Sequence, residues 1–491
     1  MPDFSNTTLS QGSRRRTANG RRSQATLIGL MAAIASLSGH AQIAVRNQGY
    51  IPYSDPPISY RSEDLSDPVA KLERDIEQGK ARVQYDPEHG YLPSVLELLK
   101  VPVDSQTLVF SKTSFQYPKI SSEHPRALYF NDDVYVGSVH EGKAVEIVSF
   151  DPKQGAIFYL LDERKVEKPA FQRAELDCTQ CHIAAGTRGV PGVLLRSVYP
   201  DPTGTLVAGM KSFITDQESP FSERWGGWYV TGAQGLLGPN MGNAAIDEGK
   251  TGQAGDENAT KLSALAPRFN ASSYLLPTSD VVAHLVLAHQ TQMHNLITLT
   301  NYKTRLALYA QSAAGSGKAP PADNPLPQNL RQQIERPAEQ LLRYLLFANE
   351  TPLPGTDRQK IVGASPFAKE FEARGIRDSK GRSLRDFDLS TRLFRYPCSY
   401  LIYSDAFDSL PEPANGYVYH RLLEILRGED RSADFARLSS DDRRAILEIV
   451  LATKAHLPDE WKDYAKSNHL ALLQESKNAD HPPTLSRNLP Q

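Results

Sequence analysis

Ala127-Leu128-Tyr129-Phe130, Val134-Tyr135-Val136-Gly137-Ser138-Val139, Ala144-Val145-Glu146-Ile147-Val148-Ser149-Phe150 and Ala156-Ile157-Phe158-Tyr159-Leu160-Leu161 are four successive runs of β-branched and aromatic residues. Residues of this kind suit a half-buried pleated surface. Between them stand Asn131-Asp132-Asp133, Glu141-Gly142-Lys143 and Asp151-Pro152-Lys153-Gln154-Gly155, whose side chains bond their own backbone or tolerate tight turns. The stretch therefore predicts a β-meander. Upstream, residues 42 to about 125 are mixed, with short amphipathic helices expected near Pro68 to Gln78 and Ser94 to Leu99.

The meander leads into Cys178-Thr179-Gln180-Cys181-His182. C-x-x-C-H is the spacing through which haem is attached covalently: the two thiols add to the vinyl groups and the adjacent imidazole bonds the iron. Two competing chemistries use C-x-x-C alone. A structural zinc site needs four ligands, and the one other cysteine is Cys398, with no second C-x-x-C. A thioredoxin-type pair opens a helix after a strand of a βαβ unit, whereas this one follows the polar run Gln172 to Asp177. One such motif predicts one haem, with Cys178 and Cys181 holding the porphyrin and His182 as the proximal iron ligand.

The N-terminus points to export. Arg14-Arg15-Arg16 and Arg21-Arg22 precede the apolar run Ala25 to Leu37, which is short for a membrane span, and Gly39-His40-Ala41 offers small residues at the −3 and −1 positions of a cleavage site. The arginine pair lacks the continuation of a twin-arginine signal, so ordinary export is expected. About 450 residues then remain, enough for two or three domains. A formal net charge of −2 leaves no basic footprint for nucleic acid, and no later apolar run reaches spanning length. Cys398, in the apolar context Tyr396-Pro397-Cys398-Ser399-Tyr400, reads as a buried inert thiol.

Beyond the motif, Val193 to Tyr199 and Thr205 to Phe213 flank Asp201-Pro202-Thr203-Gly204 as a hairpin. Trp225-Gly226-Gly227-Trp228 holds two of the three tryptophans, and its glycines permit close approach of the backbone to a flat neighbour: a haem wall or an aromatic core. A long helical pattern runs from Ser279 to about Tyr309, bracketed by a Gly/Asp/Asn-rich loop at 249–260 and a linker at 313–329. Further helices are expected at Pro337 to Phe347, Val418 to Arg427 and Asp441 to Ala455, the last opened by the capping-box-like Ser439-Ser440-Asp441-Asp442. The expected organisation is a signal peptide at 1–41, a β-rich region at 42–165, a mainly helical haem c-binding region at 166–312, a helical C-terminal region at 330–475 and a disordered tail at 476–491: an α+β fold.

The iron's other face decides what the haem does. A methionine or histidine there suits electron transfer, and an open face lets small molecules bind. On the long helix, positions 282, 285, 289, 293 and 296 form one stripe, so His289 and Met293 share an apolar face and, with neighbouring His294, are distal-ligand candidates. The alternative is a core methionine beside a satisfied histidine. Met241, in the turn-rich Gly238-Pro239-Asn240-Met241-Gly242-Asn243, is the competing candidate; Met210 is expected to pack in a sheet.

The pentapeptide and the export signal resemble those of c-type cytochromes. Glu223 to Gly232 (ERWGGWYVTG) and His289 to Leu296 (HQTQMHNL) are also similar to strings in a group of large single-haem bacterial cytochrome c-like proteins, which implies a shared fold and haem site but no substrate. The expected role is electron transfer in the periplasm with a partner protein or a small-molecule donor or acceptor. A haem oxidoreductase of peroxidase or oxygenase type is the alternative, with His289 or His294 as distal acid/base, and a haem-based sensor ranks behind both; no residue selects a particular reaction. Export predicts that the mature chain begins near Gln42, and N-terminal sequencing of the purified protein decides this, with a chain still starting at Met1 as the contrary result.

Overall fold

The computed structural model describes residues 51–233, 269–314, 326–353 and 360–473. The meander runs through β1 (Thr107–Val109), β2 (Arg126–Phe130), β3 (Val134–Ser138), β4 (Ala144–Asp151), β5 (Gly155–Asp162) and β6 (Phe171–Arg173). These pair antiparallel in sequence order, and a later strand, β9 (Trp228–Tyr229), closes the far side against β1, giving the order β6-β5-β4-β3-β2-β1-β9. Because the side-chain period along a strand is two, each strand feeds both faces. Val136, Ile147, Ile157 and Tyr159 face one core, shared with α1 (Pro68–Glu77) and α2 (Leu92–Leu98). Phe130, Tyr135, Phe150 and Phe158 face the other, shared with the C-terminal helices. The sheet is thus covered on both sides, which explains why its strands read as apolar runs rather than alternating ones.

The sheet runs across the expected boundary near residue 165, since β6 and β9 both lie beyond it. The described residues from Ile51 onward belong to one contact unit. The signal region, the loop carrying Met241 and the C-terminal tail lie outside the described residues. Between β6 and β9 stand the motif helix α3 (Glu175–His182) and a small hairpin of β7 (Leu195–Ser197) and β8 (Phe213–Thr215). The turn at Asp201 to Thr205 forms as expected, with Gly204 N–H donating to Asp201 O at 2.9 Å. The return strand starts later than expected, and Met210 lies exposed in the loop before it instead of packing in the sheet.

The remainder is mostly helical: α4 (Val281–Ala314), α5 (Gln328–Leu345), α6 (Phe367–Ala373), α7 (Asp405–Asp408), α8 (Ala414–Arg427), α9 (Ser440–Thr453) and α10 (Asp459–Ser467). A two-stranded pairing of β10 (Gly232–Ala233) with β11 (Val362–Gly363) ties the two parts together. Among the described residues no helix is long and apolar enough to cross a membrane. The α9 capping box is present, with Asp442 N–H donating to Ser439 Oγ at 3.0 Å and Ser439 N–H to Asp442 Oδ2 at 3.2 Å. In α5 the expected start at Pro337 is wrong by nine residues, because the apolar stripe Leu330, Ile334, Ala338, Leu341 holds the preceding turns against the core despite the proline.

Helix α4 is the axis of the molecule. From Val281 to Asn301 every side chain is buried, polar ones included, so the single-stripe reading captured only part of its surroundings. Its start is held by Asp280, whose Oδ1 accepts from the N–H of Val282 and Ala283 at 2.8 and 3.0 Å. Nearby in the helical half, burial pushes the Glu350 carboxyl up to about 7, opposed by the Leu393 N–H and the Arg224 guanidinium. Folding therefore takes up a proton between the usual glutamate range and pH 7, and this contribution to stability is lost as pH rises through that window. Unfolding free energy should be greater at pH 5 than at pH 8 by on the order of 2 kcal/mol from this group. Glu350→Gln should flatten the dependence, as denaturant titrations at the two pH values would show.

Candidate functional site

Strand β6 passes into α3 after one residue, so the motif forms a short helix against the sheet edge. Cys178, Cys181 and His182 stand at i, i+3 and i+4 and share one face of that helix. Arg61 Nε donates to Glu175 Oε1 at 2.9 Å and ties the first turn to the N-terminal segment. Cys178 is half-buried and packs against the core, Cys181 is exposed, and no disulfide joins them. His182 is half-buried, with its ring 4.9 Å from that of Phe158 on β5.

The imidazole is oriented by backbone. His182 Nδ1 lies 2.8 Å from Gly192 O, and since a carbonyl can only accept, Nδ1 carries the proton and Nε2 keeps its lone pair. Among the described residues no hydrogen bond engages Nε2. Burial lowers the pKa of His182 below the usual histidine value, with the Gly192 carbonyl opposing and Arg126 reinforcing the shift. The ring is therefore held neutral, the form that binds a metal.

Beside this ring the sheet offers a half-buried strip. Leu128, Gly137, Glu146 and Leu160 lie opposite one another across β2 to β5, on the face that carries Phe158 and Val148. Arg126 pairs with Glu146, which also accepts from Ser114 Oγ at 2.6 Å and Gln116 Nε2 at 2.9 Å. A Cβ at position 137 would stand 2.4 Å from Arg126 Nη2, so the guanidinium lies over bare glycine backbone. Arg126 Nε is buried and has no hydrogen-bond partner.

The competing uses of C-x-x-C fit poorly. Cys178 is the fourth and Cys181 the seventh of the eight residues of α3, which follows an antiparallel edge strand, and at Cys181 the helix dipole disfavours a thiolate. Among the described residues no three His, Cys, Asp or Glu side chains converge as a metal-binding set.

The distal candidates go elsewhere. His289 donates and accepts through both ring nitrogens, Nδ1 at 2.6 Å from Gln217 Oε1 and Nε2 at 2.7 Å from Ser399 Oγ, and its ring is stacked on Phe347 and Tyr344. Met293 is fully enclosed in the core. His294 stacks on Phe150, with Nδ1 2.9 Å from Tyr135 Oη. Burial lowers His289 and His294 to about 3, so both are neutral. For His289 the alternative of a satisfied core histidine describes what is seen, since both ring nitrogens have partners, whereas His294 Nε2 is buried with no hydrogen-bond partner. Met241 lies outside the described residues.

The glycines of the tryptophan stretch likewise serve protein packing. A Cβ on Gly226 would meet Val198 O at 2.2 Å, and Trp228 Nε1 donates to Arg196 O at 2.8 Å, so this is aromatic core rather than a wall against His182. Sequence reasoning passed over Gly192, Phe158 and Arg126, whose one visible signal was their place in otherwise ordinary loop and strand runs. No protein family, curated protein or solved structure matches the chain.

The exposures order the thiols. In protein made without haem, an alkylating reagent should modify Cys181 first and Cys178 more slowly, while Cys398, buried and with its pKa raised by burial, should react only after unfolding. Peptide mass mapping over time reads the order, and early labelling of Cys398 would contradict it.

Proposed function

We propose that this chain is an exported c-type cytochrome carrying one haem and acting in electron transfer. The observation that carries the reading is the C-x-x-C-H helix whose histidine is oriented through Nδ1, with Nε2 left for a metal. Cys178 and Cys181 would hold the porphyrin and His182 the iron. The half-buried strip with Leu128, Val148 and Leu160 suits a flat apolar ring, and the unpaired Nε of Arg126 suits a propionate. When bound, such a group supplies one-electron oxidation and reduction at a potential set by its ligands and burial.

The chain's own residues support transfer over storage of the electron. Cys181 is exposed, so a porphyrin bonded to it would have that edge within reach of a partner protein or a small-molecule donor or acceptor. The N-terminal pattern supports the periplasm, where covalent haem is added. A second reading, a haem oxidoreductase of peroxidase or oxygenase type, is favoured by one observation: both ring nitrogens of His289 are engaged and Met293 is enclosed in the core, so an iron held by His182 would take no second ligand from either of them.

In a host competent for cytochrome c assembly, the purified protein should keep its haem through denaturation and acid-acetone extraction, and replacing Cys178 and Cys181 by Ala should abolish this. Haem that extracts from the wild-type protein refutes the proposal. Spectra with and without carbon monoxide separate the two readings: a low-spin centre indifferent to the gas supports the carrier, and a high-spin one that binds it supports the enzyme.

A further inference from the structure

The geometry points to Asn295 as a positioning residue that sets the electron-donating strength of His182 through one shared peptide group; this rests on the haem reading above. Gly192 C=O accepts from His182 Nδ1 at 2.8 Å. The N–H of that same peptide unit belongs to Val193, and it donates to Asn295 Oδ1 at 3.1 Å. In a trans peptide the N–H and C=O point in opposite directions, so Asn295 Oδ1, the peptide and the imidazole form one aligned chain of hydrogen bonds. An acceptor on the N–H polarises the carbonyl and makes it the stronger acceptor for the ring, an effect that grows in a dry interior. Asn295 is fully buried.

The asparagine is fixed in the orientation this requires. Its Nδ2 donates to Val193 O at 2.7 Å, so the amide engages both sides of Val193 and cannot flip without losing both bonds. Gly192 makes the approach possible, since a Cβ there would stand 2.1 Å from Asn295 Oδ1. One turn earlier on α4, Gln292 holds the other end of the loop, donating to Gly186 O at 2.8 Å and accepting from Arg188 Nε at 3.2 Å. Within the loop, Gly192 N–H donates to His182 O at 3.0 Å and Thr187 Oγ1 to the same oxygen at 3.2 Å. The loop is therefore a rigid bracket, and Asn295 is the contact that reaches the carbonyl seen by the ring.

A stronger acceptor at Nδ1 raises the basicity of the ligating nitrogen and favours ferric iron. Removing the polarising acceptor should weaken that preference. In haem-loaded full-length protein, Asn295→Ala should move the ferric/ferrous equilibrium toward ferrous by about tenfold, a rise in midpoint potential of about 59 mV for one electron. The iron–histidine stretch in the resonance Raman spectrum of the ferrous protein should fall in frequency. Ile297→Val, a conservative core change on the same helix that leaves the Asn295 hydrogen bonds in place, should leave both unchanged. Gly192→Ala perturbs the same peptide from the other side and provides the reading if Asn295→Ala does not fold. Equal potentials and unchanged stretch in Asn295→Ala, or in Gly192→Ala where that is the folded variant, overturn the inference. A shift of the same size in Ile297→Val also overturns it, by showing general loosening. Failure of the wild-type protein to retain haem is a separate result that removes the haem reading itself.

Discussion

Everything in this molecule is arranged around the cost of burying a polar helix. Helix α4 carries histidine, glutamine, asparagine and threonine side chains into the interior, and each unpaired one would cost on the order of 1–3 kcal/mol. The partners are drawn from the whole chain. Gln290 Nε2 donates to Asn131 O at 2.7 Å and to Tyr135 Oη at 3.0 Å, while its Oε1 accepts from Tyr400. Tyr135, having accepted that bond, gives its own proton to His294 Nδ1, which places the histidine proton on Nε2, a buried atom with no hydrogen-bond partner. Sheet, motif loop and C-terminal helices are therefore located by one rod of side chains, and the motif histidine inherits its orientation from it.

How much of this could be read from the sequence depends on the range of the interaction. The four meander strands were legible within a residue or so because period-two patterning and Asn/Asp/Gly turns are local signals. The capping box of α9 was legible for the same reason. The C-x-x-C-H residues announced themselves by spacing alone, and the structure gathers them on one helix face. The partners of α4 were not legible, since a stripe at helical spacing says which residues share a face but not what lies across from them. His289 and Met293 looked like ligands on an apolar face; Gln217, Ser399 and Phe347, distant in sequence, turn that face into a satisfied core.

The same distinction explains the tryptophan stretch and Pro337. Gly226 and Gly227 were correctly read as points of close approach, but the neighbours are the end of β7 at Ser197 and Val198 for the first and the Ser111 side chain for the second, which no local pattern names. Pro337 carries a strong local signal for a helix start, and the apolar stripe on either side of it outweighs that signal once the core is present. Local propensity is a weak guide where tertiary burial supplies most of a helix's stability.

The dependence of α4 on remote partners also governs the order of events as the chain forms. Asn295 meets Val193 across a separation of 102 residues, Ser399 lies 110 beyond His289, and Tyr135 precedes His294 by 159. Such non-local closure is slow because chain entropy is lost before the contacts reward it. The segment bearing Cys178 to His182 therefore emerges, and stays accessible, well before the rod that immobilises it can dock. A chemical step that needs a pliant pentapeptide has its opportunity in that interval, and the docking of α4 afterwards converts a pliable segment into a fixed one.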